Sequence, residues 1–239
     1  MERTQWLREK QRRCEERMDT LFAPIYDEHW GGYINASHRA TVERFLALCP
    51  PGGAILDAAC GTGKYWPLLL AGGRVVTGFD QSGEMLRHAR AKYPAVPARK
   101  SALQDLDDEG AFDGVVCIDV MENIFPEHWP AVLGNFRRAL RPGGALYFTI
   151  ELADEAELRA AYEEARRRGL PVVAGEHPFV ADPRAGAVEE GGYHYYPPLD
   201  RVRAWVRAAG FAILEERDGD DYHHVLARAT AGDPPPRGG

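Results

Sequence analysis

The sequence predicts an α/β protein with a doubly wound, mostly parallel sheet and an antiparallel last strand. Short apolar runs alternate with helical patterns from Ala54 to Glu151. The connections between them are short, as in a sheet wound by crossover helices. Two final strand-like runs, Phe211–Arg217 and Tyr222–Arg228, flank the turn Asp218-Gly219-Asp220-Asp221, which adds an antiparallel hairpin to an otherwise parallel sheet.

The elements follow in order. Residues 2–22 read as a helix of imperfect period, with Trp6, Leu7, Cys14, Met18, Leu21 and Phe22 as its apolar positions, which suits a lid more than a core helix. Pro24 to Tyr33 is an irregular aromatic and glycine-rich segment, and residues 36–48 are helical on the spacing of Val42, Phe45, Leu46 and Leu48. Ala54–Ala58 is the first strand, Lys64–Ala71 its helix, Arg74–Phe79 the second strand, and Ser82–Lys92 a helix capped by Ser82 with Glu84 in its first turn. Ala95–Arg99 is a weak third strand, Phe112–Ile118 a strong fourth, Pro126–Leu140 a helix, and Gly144–Glu151 a fifth strand after the turn Arg141-Pro142-Gly143-Gly144. Beyond it Asp154–Arg168 is a helix, residues 170–197 are irregular, and Leu199–Ala208 is a helix before the hairpin. The tail from Asp233, rich in proline, is expected to be disordered.

Length and composition narrow the function classes. The 239 residues are 45% apolar, which fits one globular domain or one domain with an insertion. No run of apolar residues is long enough to span a membrane, and Met1–Thr20 is charged throughout, unlike a signal peptide, so a cytoplasmic location and no membrane partner are expected. The net charge of -7 argues against a broad nucleic-acid surface. The basic run Arg166-Arg167-Arg168 reads as a solvated helix C-terminus. Cys14, Cys49, Cys60 and Cys117 form no CxxC pair, and no two histidines share helical spacing, so neither a disulfide framework nor a metal site is expected.

The chemistry centres on the loop Asp57-Ala58-Ala59-Cys60-Gly61-Thr62-Gly63 after the first strand. Ligands of an open α/β sheet bind beyond the C-terminal strand ends, and Gly61 and Gly63 let the backbone turn tightly there and approach a ligand. A dinucleotide fingerprint wants a third glycine near position 66, where this chain has Trp66. Asp80 ends the second strand, 17 residues after Gly63, where a carboxylate can accept from both ribose hydroxyls.

With Asp80 in place, the loop resembles the first motif of the class I S-adenosylmethionine-dependent methyltransferases, small-molecule type. Gly78-Phe79-Asp80-Gln81-Ser82-Gly83-Glu84-Met85-Leu86 is similar to that family's second motif, and Ala102-Leu103-Gln104-Asp105-Leu106 before Phe112-Asp113 to its adenine-edge segment. Arg141-Pro142-Gly143-Gly144 is similar to its lead into the fifth strand. The resemblance covers about residues 40–150 and implies a seven-stranded, Rossmann-like sheet with a helical and loop lid, and S-adenosylmethionine as cofactor. It implies Asp57, Ala58, Gly61 and Gly63 at the methionine end, Asp80 and Gln81 at the ribose, and Met85, Leu103 and Gln104 around the adenine, where Ser101 or Ala102 replaces a commoner acid. Asp119, ending the fourth strand, borders the sulfonium, and Tyr26 or Tyr33 of the aromatic segment closes over the cofactor.

Methyl transfer needs an aligned acceptor, exclusion of water, and a base where the acceptor carries a proton. Asp119 and Glu122 either orient an amine or cation or cap the helix near Pro126. The stretch Gly191-Gly192-Tyr193-His194-Tyr195-Tyr196-Pro197-Pro198 is either a packed surface loop or a substrate element. On the second reading His194, Tyr195 and Glu122 are the catalytic candidates, with His29, Trp30, Glu151, His177, Tyr193 and Tyr196 facing the substrate. The expected partner is a small-molecule substrate, with no nucleic acid; the acceptor atom (nitrogen, oxygen or carbon) and the oligomeric state are not legible. Alternatives are methylation of a tRNA base, which needs a basic rim, and a protein that keeps the cofactor fold for a non-methylating reaction or for binding. Aminopropyl transfer ranks below them, because no acidic diamine motif is recognisable. The expected organisation is a lid at 1–35, a cofactor-binding core at 36–151, a substrate-covering insertion at 152–197, the C-terminal part of the core at 198–230 and a tail at 231–239.

Overall fold

Alternation along the strands divides the core into two layers. In β1 (Ala54–Ala58), Ile55 faces one side of the sheet with Val76 of β2 (Val75–Asp80) and Val116 of β4 (Phe112–Cys117). Leu56 and Ala58 face the other side with Phe79, Val115 and Cys117. A period of two puts consecutive side chains on opposite faces, so a strand apolar on both faces lies within a sheet covered on both sides. The computed structural model describes residues 1–181 and 192–232.

Helices cover both faces. Helix α2 (Ala36–Leu48) adds Phe45 to one layer, and α4 (Gly83–Lys92) adds Leu86 to the same layer. Helices α5 (Trp129–Ala139) and α7 (Leu199–Ala208) fill the other with Trp129, Phe136, Val202 and Val206. The Asn35 and Ser82 side chains accept from the backbone N–H groups of His38 and Met85, capping α2 and α4 as Asn and Ser caps do.

The main sheet has seven strands in the order β3-β2-β1-β4-β5-β9-β8. Here β3 is Ala98–Lys100, β5 is Leu140–Glu151, β8 is Phe211–Gly219 and β9 is Tyr222–Ala229. Strands β1 to β5 pair in parallel, and β9 runs antiparallel between β5 and β8. The β8–β9 turn is tight, with Asp220 and Asp221 both at positive φ. Among the described residues no helix is long and apolar enough to cross a membrane.

Three elements depart from the sequence expectation. The helix after the glycine loop, α3, spans only Trp66–Leu69. The turns Gly63 N–H to Cys60 O and Trp66 N–H to Gly63 O hold the chain outside helical geometry until then, and Pro67 opens the helix. The stretch 170–197, expected to be irregular, contains a two-stranded antiparallel sheet of β6 (Glu176–Val180) and β7 (Gly192–Tyr195). These strands are short, β6 carries Pro178, and their register slips between His177 and Val180, so no period-two signal emerges. Helix α1 (Arg3–Arg17) is more than a lid, because Trp6 and Leu7 are buried in the main core. Residues 182–191 and the tail from 233 lie outside the described residues, so the expected disorder of the tail and the role of Gly191 do too. Helix α6 (Glu155–Arg167) ends as expected in exposed arginines, with Arg167 and Arg168 paired to Glu164.

Candidate active site

A cavity of about 360 Å³ lies across the C-terminal ends of the parallel strands. Asp80 and Gln81 reach it from β2, Ala59 from the loop after β1, Asp119 and Glu122 from beyond β4, and Glu151 from the end of β5. It therefore runs along the sheet in strand order β2-β1-β4-β5.

The loop after β1 is fixed from below and from both sides. Ala59, Gly61 and Gly63 take left-handed conformations, with φ of 64°, 53° and 77°. Gly63 packs on the Trp66 indole so closely that a Cβ would stand 2.8 Å from it, whereas at Gly61 the space a Cβ would occupy is open. The Trp66 Nε1–H donates to Asp57 Oδ2 at 2.9 Å. Asp57 is thereby a buried support of the loop, and burial pushes its carboxyl up to about 7, against the hydrogen bond from Trp66. Asp80 Oδ2 accepts from Gly61 N at 2.9 Å and Oδ1 from Ser82 N at 2.8 Å. One carboxylate thus joins the glycine loop to the cap of α4. Burial raises its pKa, while the backbone N–H groups oppose that shift.

The N-terminal segment forms the opposite wall. Helix α1 passes into two π-helical turns, Met18–Phe22 and Asp27–Gly31, which bring Met18, Phe22, Tyr26 and Trp30 to the cavity. Such turns interrupt regular winding and recur at functional sites. Asp19 Oδ1 accepts from Ser82 Oγ at 2.5 Å and from Glu84 N at 3.2 Å. Asp27 Oδ1 accepts from Thr62 Oγ1 at 2.6 Å and from Lys92 at 2.7 Å. The strap is therefore latched to the two segments that hold the cavity floor.

Beyond β4, Asp119 has φ of 59°, and its N–H donates to Thr149 Oγ1 of β5 at 2.8 Å. Its Oδ2 accepts from the Tyr65 hydroxyl at 3.3 Å, and its Oδ1 stands 3.3 Å from His38 Nε2. Burial pushes the Asp119 carboxyl up to about 6, against the pull of Lys64, and pushes His38 down to about 3, so His38 is a neutral ring. Glu122 follows on the 3-10 turn Met121–Asn123; it is buried, and burial raises its carboxyl to about 7 while His194 pulls it back. Helix α5 begins at Trp129 with no side-chain cap, so Asp119 and Glu122 are not capping residues.

At the end of β5, Glu151 Oε2 lies 2.9 Å from His194 Nδ1 and accepts from the Tyr196 hydroxyl at 2.9 Å. Burial raises the Glu151 carboxyl, but the contacts from His194 and Tyr196 outweigh it and hold the group below the usual carboxylate range. A carboxylate only accepts, so the shared proton sits on His194 Nδ1, which makes Nε2 the lone-pair nitrogen of the neutral ring.

Of the residues singled out from the sequence, Tyr26, Trp30, Asp80, Gln81, Leu103, Gln104, Asp119, Glu122, Glu151, Tyr193 and His194 line the cavity. Asp57, Ala58 and Met85 lie buried outside it, and Gly61 and Gly63 shape the loop. The others are placed elsewhere. Tyr33 is 67% exposed and off the cavity. His29 is exposed, its ring set against Trp30. Tyr195 is fully buried, with Arg201 donating to its hydroxyl at 3.4 Å; alternation along β7 sends it to the face opposite His194. His177 is the strand partner of His194 but faces Glu157, 3.5 Å away. Tyr196 acts one step back, through Glu151 and His194. The Gln104 side chain is engaged with His128 at 3.0 Å.

Sequence reasoning missed Lys64, Phe22 and Tyr222, which line the cavity, and the His38–Tyr65 pair behind Asp119. Tyr222 is brought beside Glu151 only by the antiparallel register of β9 on β5. The period-3.6 pattern already placed His38 on a buried helix, yet nothing local paired it with Tyr65.

A family model described as a methyltransferase domain matches residues 55–144. The chain is 32% identical over 219 residues to a trans-aconitate 2-methyltransferase of Azoarcus sp. (strain BH72), covering 82% of this chain and 85% of that protein. It is 33% identical over 132 residues to a malonyl-[acyl-carrier protein] O-methyltransferase of Pectobacterium atrosepticum, covering 52% of this chain and 50% of that one. The chain spans about half the length of several such curated relatives. A magnesium protoporphyrin IX methyltransferase from Synechocystis PCC 6803, solved with SAH bound, shares the fold with a TM-score of 0.64 at 18% identity, over 92% of this chain and 100% of that one. With the glycine loop, the strand-end aspartate and the seven-stranded sheet in these positions, the chain belongs to the class I S-adenosylmethionine-dependent methyltransferases.

Proposed function

We propose that the protein transfers a methyl group from S-adenosylmethionine to a small organic acceptor, with His194 removing a proton from the accepting atom. The residues present fit the cofactor. The open face of Gly61 offers backbone a ligand can approach. Each Asp80 oxygen accepts one backbone N–H and retains a lone pair for a ribose hydroxyl. On this reading Asp80 and Gln81 hold the ribose, and Leu103 and Gln104 border the adenine. Asp119 lies toward the methionine end, under Tyr26 and Trp30. The cofactor supplies an activated methyl on a sulfonium.

The chain's own residues do the rest. The π-helical strap walls one side of the cavity, and displacing water there strengthens the charge interactions beside it. His194, held by Glu151 and Tyr196, presents Nε2 as the proton acceptor, and Glu151 stabilises the imidazolium that results. The observation that carries this reading is the 2.9 Å Glu151–His194 contact on the cavity wall. Among the described residues Arg17 and Lys64 are the only Lys or Arg side chains lining the cavity, and the chain is acidic, which favours a compact acceptor over a tRNA base. Incubation with S-adenosylmethionine and fractionated small metabolites should yield S-adenosylhomocysteine together with a product heavier by one methyl. His194→Ala should abolish most of that product while still binding S-adenosylhomocysteine. Undiminished turnover by His194→Ala refutes the base role, and absence of cofactor binding refutes the whole reading.

A further inference from the structure

The cavity carries three carboxylates beyond the ribose end, and they are not equivalent. Asp119 is engaged by Tyr65 through Oδ2, while its Oδ1 makes no hydrogen bond among the described residues and stands 3.3 Å from His38 Nε2; Glu151 is engaged by His194 and Tyr196. Glu122 is 4% exposed; its Oε1 receives one long contact of 3.3 Å from Asn123, and its Oε2 is buried with no hydrogen-bond partner among the described residues. Burying an unpaired carboxyl is costly, and the protein leaves this one incomplete on the wall of its own cavity. Among the described residues the Lys and Arg side chains lining the cavity are occupied elsewhere. Arg17 lies over the Phe22 ring at 5.2 Å, and Lys64 over the Tyr65 ring at 5.5 Å, where Asp119 attracts it.

The missing partner has a definite chemistry. A bound carboxylate is repelled by Glu122 and Glu151 together. A hydroxyl offers one donor and no charge. An ammonium offers a cation and three donors. The rings of Trp30, Phe125, Tyr193 and Tyr222, which line the same cavity, favour a cation electrostatically. We infer that the methyl acceptor is an amine and that Glu122 is the residue that receives its N–H groups. This inference rests on the methyltransferase reading above. The ammonium gives one proton to His194 Nε2, and the freed nitrogen lone pair forms the N–CH3 bond. The methyl–sulfur bond breaks with its electron pair left on sulfur, and the product leaves as a methylated ammonium. An amine acceptor also separates this pocket from the O-methyltransferases among its relatives.

The test is calorimetric binding to the protein saturated with S-adenosylhomocysteine. Primary amines on aliphatic, arylalkyl and amino-sugar frames are each compared with the matched alcohol and carboxylate. At least one amine should bind more tightly than both its matched analogues by at least about tenfold. Glu122→Gln, which preserves shape, should erase that preference and leave S-adenosylhomocysteine affinity unchanged. Equal or tighter binding of the alcohol or carboxylate, or no binding by any amine, overturns the inference while leaving the methyltransferase reading intact. So does a preference that survives Glu122→Gln. A tenfold loss of S-adenosylhomocysteine affinity in Glu122→Gln also overturns it, because Glu122 then serves the cofactor. Failure of the unsubstituted protein to bind S-adenosylhomocysteine is a failure of the underlying reading itself.

Discussion

Glu151 and His194 meet at 2.9 Å, Oε2 to Nδ1, joining the end of β5 to the β6–β7 hairpin. The contact fixes which imidazole nitrogen keeps its lone pair. His194→Ala is expected to lower kcat by about 10²–10⁴-fold, the usual contribution of a general base, with little change in cofactor affinity. Glu151→Gln is expected to give a smaller loss in kcat and an altered pH–rate profile, because it removes the charge that stabilises the imidazolium. Steady-state kinetics across pH, with S-adenosylhomocysteine binding as the control, check both.

Asp80 is expected to carry cofactor affinity and loop geometry together. Asp80→Asn keeps the size of the side chain but places an amide where one backbone N–H now donates. Calorimetry should show S-adenosylhomocysteine binding weakened by about 1.5–3 kcal/mol, the loss typical of charge-assisted hydrogen bonds. An unchanged affinity refutes the ribose assignment.

Glu122 should make stability fall with pH. Burial raises its folded carboxyl from the usual 4.5 to about 7. Between those values the folded state holds a proton that the unfolded state has released, so stability is lost as pH rises through that window and stays lost above it. Glu122→Gln removes the titration. It should match the parent near pH 4 and exceed it near pH 8 by on the order of 1–3 kcal/mol in chemical denaturation. A pH-independent difference contradicts the assignment.

Asp27 holds the strap to Thr62 and Lys92, and these contacts keep its carboxyl low although burial opposes them. Asp27→Ala should free the strap without unfolding the sheet. Hydrogen exchange should rise over the two π-helical turns and stay constant in β1 and β4, and S-adenosylhomocysteine should dissociate faster. Unchanged exchange in those turns argues against a latch.

Gly63→Ala should destabilise the fold by about 2 kcal/mol or more, since φ of 77° and the Trp66 ring at 2.8 Å both oppose a Cβ. Thermal unfolding measures it. Gly61→Ala, where the space is open, should lose less stability and more cofactor affinity.

The sequence by itself determined the sheet, the glycine loop and Asp80. These are local features: strand alternation, a strand-to-helix turn, and an acid at the next strand end. Their positions follow from short-range periodicity once the sheet is parallel. The Ser82 cap and α7 were legible for the same reason. The short α3 and the β6–β7 hairpin were not, because the turns over Gly63 and the interrupted strands leave no periodic trace. Only the tertiary structure decided the chemical end of the site. Whether His194 or Tyr195 faces the cavity depends on the docking of β7, where a shift of one residue exchanges the two faces. Tyr222 stands beside Glu151 through the register of β9, and His38 reaches Asp119 because α2 packs on that face of the sheet. Periodicity sets which face a side chain takes; it carries no information on which distant side chain it meets there.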